Sequence, residues 1–418
     1  MGQLVQVIPF VGILLSYAIL PGLLPRLWHR RMAAIASFWV ALEILLQTLE
    51  RGGRSAGLAL WQVTFAEFLP FILLLLTLYA LGGGISIRGG VLGRPGGNLL
   101  LLSAGTILAS IMGTIGAALV LIHPLLAANG YRHEKRHLVM AFIILVGNAG
   151  GALSPLGDPP LLVGFLRGVP FFWPLIHLLL PLLLLAVPVL ALTFGFDVWL
   201  ARKEPRPRPE KLRVRGLLNI LLLLLLIMVI PLEGVWHPGN VTVLSAAIPT
   251  EHLAVMLVEI GCILVSEIFT PNAIRSQNRF AWRAMREITI LFFAIFATIG
   301  PAFTLLQAAQ IPPMPLAWFW ASGLFSAVLD SAPTYLIFFE AGGGHAAALT
   351  QGSAPLLRAI AAGSVFFGPL TYLGNAPNLM IREIAARRGV RMPGFFTFAG
   401  IMALVLMPIY ALMSVVFF

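Results

Sequence analysis

Along the chain, long stretches that are apolar at nearly every position alternate with short segments rich in Arg, Gly and Pro. Such stretches present no polar face to water, which separates a buried or bilayer-spanning helix from the amphipathic helix of a soluble domain. Runs long enough, or nearly so, to cross the roughly 30 Å hydrocarbon core fall at residues 5–24, 32–50, 58–82, 139–166, 173–200, 216–233, 251–271, 288–308, 359–384 and 397–417. Two further stretches, 97–126 and 318–340, are interrupted by small and helix-breaking residues and read as re-entrant hairpins. The first run has no basic segment before it and no small-residue cleavage site, so it reads as a spanning helix and not a signal peptide. The pattern predicts an all-α integral membrane protein with about ten crossings, two re-entrant hairpins and two broken helices, at 139–166 and 359–384.

Composition agrees. Of 418 residues 59% are hydrophobic and 10% charged, against roughly 25% charged in soluble proteins. The net charge of +11 would suggest nucleic acid in a soluble chain, but the basic residues sit in short clusters between apolar runs. With the N-terminus outside and both hairpins returning to the side they enter from, 23 of the 27 Lys and Arg residues fall inside, as membrane insertion favours. Only Arg51, Arg54, Arg167 and Arg358 fall outside. Trp28, Trp199 and Trp282 lie near the inner boundary and Trp61, Trp173, Trp236 and Trp318 near the outer one, the placement of an aromatic belt. Both termini are expected outside, in a bacterial inner membrane, with the lipid bilayer as partner and no nucleic acid.

A basic segment at 201–215, punctuated by Pro205, Pro207 and Pro209, reads as a cytoplasmic linker between two halves. Residues 1–200 and 216–418 each hold three crossings, a hairpin, a broken crossing and a last crossing. Five crossings is an odd number, which inverts the second half relative to the first. The tripeptide Gly147-Asn148-Ala149 recurs as Gly374-Asn375-Ala376, a shift of 227. Inverted repeats with interrupted helices mark secondary transporters.

The first break, Gly147 to Pro160, packs four Gly and three Pro into fourteen residues, too many for a helix in which Gly costs about 1 and Pro about 3 kcal/mol. Unwound backbone at membrane depth is tolerated only where protein or water satisfies it, so the segment should line a cavity. Asp158 before Pro159 has the form of a helix cap. A carboxylate at that depth nevertheless costs roughly 2.5 to 3.5 kcal/mol, and such residues mark ion pathways. The second break carries Asn375, Pro377 and Asn378, and its acid comes from the second hairpin, where Asp330 precedes Ser331, Thr334 and a turn expected near Pro333. Thr114 and Gly116 form an uncharged tip on the first hairpin. Asp158, Asp330, Asn148, Ser154, Asn375, Asn378, Thr114, Ser331 and Thr334 thus form an all-oxygen set suited to a hard cation such as sodium, with Asp158 and Asp330 as its anionic ligands. Protons can compete for the two carboxylates.

Glu43, Glu67, Glu259, Glu267 and Glu340 read as interfacial or packing groups, with Glu259 the foremost exception, and His123 and Cys262 as structural residues. Nothing points to an enzyme: no nucleophile triad, metal-ligand cluster or Walker loop is apparent, and no cofactor is expected beyond transported sodium and protons. A channel or a receptor is the competing class, and inverted repeats argue against a receptor.

At these residues the chain resembles the ion transporter superfamily of D-type sodium/proton antiporters, arsenite permeases and citrate or dicarboxylate transporters, above all a bacterial branch labelled citrate transporter or sodium/proton antiporter. The likeness is strongest at Asn148 to Phe172, Leu329 to Tyr335 and Tyr372 to Gly394. It implies a homodimer of scaffold and moving transport domains, with the ligand between two hairpins and two broken helices. Thr114 and Gly116 would stand at one tip and Ser331 and Ala332 at the other. The chain departs from the carboxylate carriers in showing Gly-Thr-Ile-Gly and Asp-Ser-Ala-Pro where those carry Ser-Asn-Thr. Sodium/proton antiport is therefore the first reading, cation-coupled citrate or dicarboxylate transport the alternative, and arsenite efflux the third.

Overall fold

In the computed structural model, which describes residues 3–418 apart from 91–92, 203, 205–209, 237, 244–245 and 309–311, the apolar runs are helices. The first half runs α1 (Gln3–Leu23), α2 (Pro25–Arg51), α3 (Gly53–Gln62), α4 (Leu69–Gly83), α5 (Pro95–Met112), α6 (Thr114–Ala128), α7 (Arg136–Leu145), α8 (Pro159–Leu166) and α9 (Trp173–Ala201). The second runs α10 (Leu217–Glu233), α11 (Thr250–Phe269), α12 (Asn272–Gln277), α13 (Trp282–Thr298), α14 (Gly300–Ala308), α15 (Pro315–Leu329), α16 (Ser331–Ala341), α17 (Ala354–Phe366), α18 (Ala376–Arg387) and α19 (Phe395–Phe417).

The molecule is an all-α membrane protein. Seven helices of the described residues are long and apolar enough to cross a bilayer, or eight with the bent pair Trp282–Thr298 and Gly300–Leu306 counted as one. The regions 5–24, 216–233 and 359–384 are built on shorter apolar helices, and Pro95–Met112, one limb of the first hairpin, passes the length test. Helix length alone therefore yields a different tally from the ten apolar runs, because breaks shorten some spans and a hairpin limb can be as long as a crossing.

Outward faces remain apolar. On α9, Ile176, Leu180 and Val187 are more than half exposed while Leu178, Leu182, Leu185 and Val189 are buried, so one stripe meets lipid and the other the core. Pro181 and Pro188 sit inside this helix, as membrane helices allow.

The linker is not wholly free loop. Lys203 and residues 205–209, with Arg206, Arg208 and the three prolines, lie outside the described residues, but Glu210–Arg215 forms strand β2, antiparallel to β1 (Ser86–Gly90), with Ile87 opposite Val214. A second hairpin, β3 (Asn240–Val243) with β4 (Ala246–Pro249), joins α10 to α11.

Candidate functional site

Each predicted hairpin turns on a single residue. Gly113 joins α5 to α6 with φ 78° and ψ 149°, and Asp330 joins α15 to α16 with φ 78° and ψ 151°. This backbone region is essentially reserved for glycine and costs a side-chain-bearing residue on the order of 1–3 kcal/mol. The second turn is thus at Asp330 and not near Pro333. Pro333 lies in the first turn of α16, where a missing N–H costs no helical bond.

The breaks follow a matching plan. After α7 comes a 3-10 turn, Ala149–Leu153, then extended Ser154, and α8 restarts behind Asp158. After α17 comes a 3-10 turn, Gly368–Leu370, then extended Thr371, and α18 restarts behind Asn375. The Ser154 hydroxyl donates to the Ser110 carbonyl and the Thr371 hydroxyl to the Ala327 carbonyl at 2.5 Å. Each hydroxyl in turn accepts a backbone N–H, from Leu156 at 3.1 Å and from Leu373 at 3.0 Å. Gly157 presses on Gly151 and Gly374 on Gly368 so closely that a Cβ on Gly157 or Gly374 would stand 2.1 or 2.5 Å from the facing carbonyl oxygen.

All these pairs, like Gly113 with Asp330, are 217 positions apart, which corrects the 227 suggested by Gly-Asn-Ala. Gly147–Ala149 enters its break whereas Gly374–Ala376 leaves one, and small residues with an Asn suit either end. In the corrected register Asp158 corresponds to Asn375, and Asp330 to Gly113. Each half keeps one acid, on opposite parts of the plan.

Asp158 is 1% exposed. It occupies a cap position, yet its side chain makes no capping bond. Its Oδ1 accepts from the Thr114 hydroxyl and the Asn375 amide, both at 3.2 Å, and its buried Oδ2 has no hydrogen-bond partner among the described residues. Asp330 is 3% exposed and accepts from the Tyr17 hydroxyl at 3.3 Å and, more weakly, from Ser331 at 3.4 Å. The two carboxylates lie within electrostatic reach of each other. Asp158 borders a space of about 10 Å³, on the scale of one water or one bare cation. Asp330 borders a chamber of about 800 Å³, and Tyr79 and Ile115 line both spaces. Exposed Glu383 and Phe396 line the same chamber, so it runs from the surface inward to Asp330.

Over this geometry a family model described as "Putative citrate transport" (CitMHS_2) matches residues 2–418. The chain belongs to this family. No curated protein matches it. As a CitMHS_2 member it is a multi-pass membrane transporter.

Not every residue singled out by sequence meets the two carboxylates. In this CitMHS_2 member Asn378 is saturated: it accepts from Asn148 at 2.7 Å and donates to the Gly368 and Thr371 carbonyls, each at 2.9 Å. Asn148 also donates to the Ile143 carbonyl at 2.7 Å, so these two side chains stitch the breaks together, and of the pair's polar atoms the buried Asn148 Oδ1 has no partner among the described residues. Thr334 donates to the Asp330 carbonyl one turn back, and Ser154 ties its break to α5. Thr114, Asn375 and Ser331 do meet the carboxylates.

Among the other acids, Glu67 and Glu340 share Arg167, at 2.6 and 2.5 Å, Glu267 pairs with Arg275 at 3.0 Å, and Glu43 accepts from Gln47 at 2.6 Å. Glu259 is 2% exposed with one oxygen unpartnered. His123 contacts the Asn278 carbonyl at 3.2 Å. Sequence reasoning missed Tyr17, Arg382 and Asp197. Asp197 is buried on α9 and meets Arg132, His137 at 3.0 Å and Asn98 at 2.9 Å, and an acid inside an apolar run was a usable signal for it.

Proposed function

We propose that the protein is a secondary active transporter in which Asp158 and Asp330 bind cation and proton in alternation, with sodium/proton exchange as its basic cycle. The observation that carries this reading is the buried Oδ2 of Asp158, without a hydrogen-bond partner among the described residues, in a molecule that buries a second carboxylate at Asp330. A buried charge without a partner is expensive, and either a proton or a hard cation removes that cost. Because the two compete for the same oxygens, flow of one drives counterflow of the other. Thr114 and Asn375 keep Asp158 oriented from two different segments, so movement of either changes its ligation. The matching hairpins and breaks support a pair of inverted repeats, and the N-terminus is placed outside on the charge pattern.

In proteoliposomes, Asp158→Asn and Asp330→Asn are each expected to abolish sodium-dependent proton movement while the protein remains folded. Undiminished exchange in both variants sinks the reading. In the unaltered protein the half-saturating sodium concentration should rise as pH falls, since protonation removes the ligand. A pH-independent value over the active range speaks against shared carboxylates.

A second reading, cation-coupled carriage of citrate or a related carboxylate, is favoured by the family description and by the chamber at Asp330, which far exceeds what an ion needs. Uptake of radiolabelled citrate that collapses without a sodium or proton gradient supports it.

A further inference from the structure

Not every charge around the large chamber is paired. Glu287 is paired with Arg283 and Glu383 with Arg387, each at 3.7 Å on the helix that carries it. That leaves two charged groups lining the chamber with no ionic partner among the described residues. One is Asp330, whose partners are the hydroxyls of Tyr17 and Ser331 and the backbone amides of Ser331 and Ala332. The other is Arg382, whose guanidinium rests 4.5 Å from the centre of the Tyr372 ring. Tyr372 is itself buried and fixed through its hydroxyl to the Pro393 carbonyl at 3.0 Å. The ring positions the guanidinium without neutralising it, and its forked donors stay available to a planar anion.

We infer that Arg382 is the carboxylate-anchoring residue of this chamber, which takes a small di- or tricarboxylate with one carboxylate on Arg382 and another directed toward Asp330 across a bound cation. This assignment rests on the second reading above. It supplies what the hairpin tips lack: with Asp330 at one tip and Gly113 at the other, neither offers an anion more than backbone and hydroxyl groups, so the fixed positive charge comes from α18. A monocarboxylate could satisfy only one end.

The test is gradient-driven uptake of radiolabelled citrate, succinate and acetate by the full-length protein in liposomes. The unaltered protein should take citrate or succinate and discriminate against acetate. Arg382→Gln should raise KM for the favoured substrate at least about tenfold, with kcat far less affected, and Arg382→Lys should fall between, because lysine keeps the charge without the fork. An unchanged KM in both variants overturns the role of Arg382 and leaves carboxylate transport standing. If Arg382→Gln does not fold, Arg382→Lys decides alone, and an unchanged KM there overturns the assignment. No uptake of any of the three by the unaltered protein removes the second reading and this inference with it.

Discussion

At Asp330 a carboxylate sits where backbone geometry asks for glycine. Asp330→Gly should be a stabilising change: about 1–3 kcal/mol of backbone strain is recovered and the cost of burying a carboxylate is removed, against roughly 1 kcal/mol for each of the lost Tyr17 and Ser331 hydrogen bonds. The melting temperature should rise in detergent while transport disappears, and a fall would mean that the turn is not strained. Gly113→Asp imposes the same strain on the first tip and should lower it. Asp158 and Asp330 were legible in the sequence because an ionised group in an apolar run is costly enough to need a reason. Tyr17 was not, since a tyrosine in a membrane helix is unremarkable and its partner lies 313 positions away. Asn378 was legible as a polar group but not in its role, which depends on a carbonyl geometry that no spacing encodes.

At the level of elements, the hairpins and breaks were legible because Gly and Pro act through local backbone physics. The register of the repeat was not, because corresponding positions share conformation without sharing side chains: Asp158 answers to Asn375 and Ser154 to Thr371. The charge clamp between elements was equally hidden. Arg167, just past α8, joins Glu67 in the π-helical turn Val63–Phe68 to Glu340 on α16 and lies over Phe303 of α14. Glu67 is one-third exposed and Glu340 nearly buried. Glu67→Gln should therefore cost at most about 1 kcal/mol, whereas Arg167→Gln, which takes this ionic partner from the buried Glu340 as well as from Glu67, should cost more. Thermal unfolding of the two variants checks the order, and equal losses would show that Glu340 does not depend on the pair.

For the molecule as a whole, the sequence yielded the class of architecture and most helix positions. It did not yield the chamber, whose walls come from α1, α2, α4, α6, α13, α18 and α19 and from the turn at Asp330, segments hundreds of residues apart. The charge pattern predicts for the whole that Arg51 and Arg387, both well exposed, lie on opposite faces of the membrane. The lone cysteine, Cys262, is buried, so single cysteines can be placed against a Cys262→Ala background. In intact cells an impermeant maleimide should label Arg51→Cys, and Arg387→Cys only after permeabilisation, and the reverse would overturn the assigned orientation. The shared bend of Gly113 and Asp330 bears on where each half keeps its charge. One tip brings its own acid, whereas the bare tip at Gly113 borrows Asp158 from the neighbouring broken helix, so a substitution in either hairpin disturbs a different acid by a different route: directly at Asp330, and through Thr114 at Asp158.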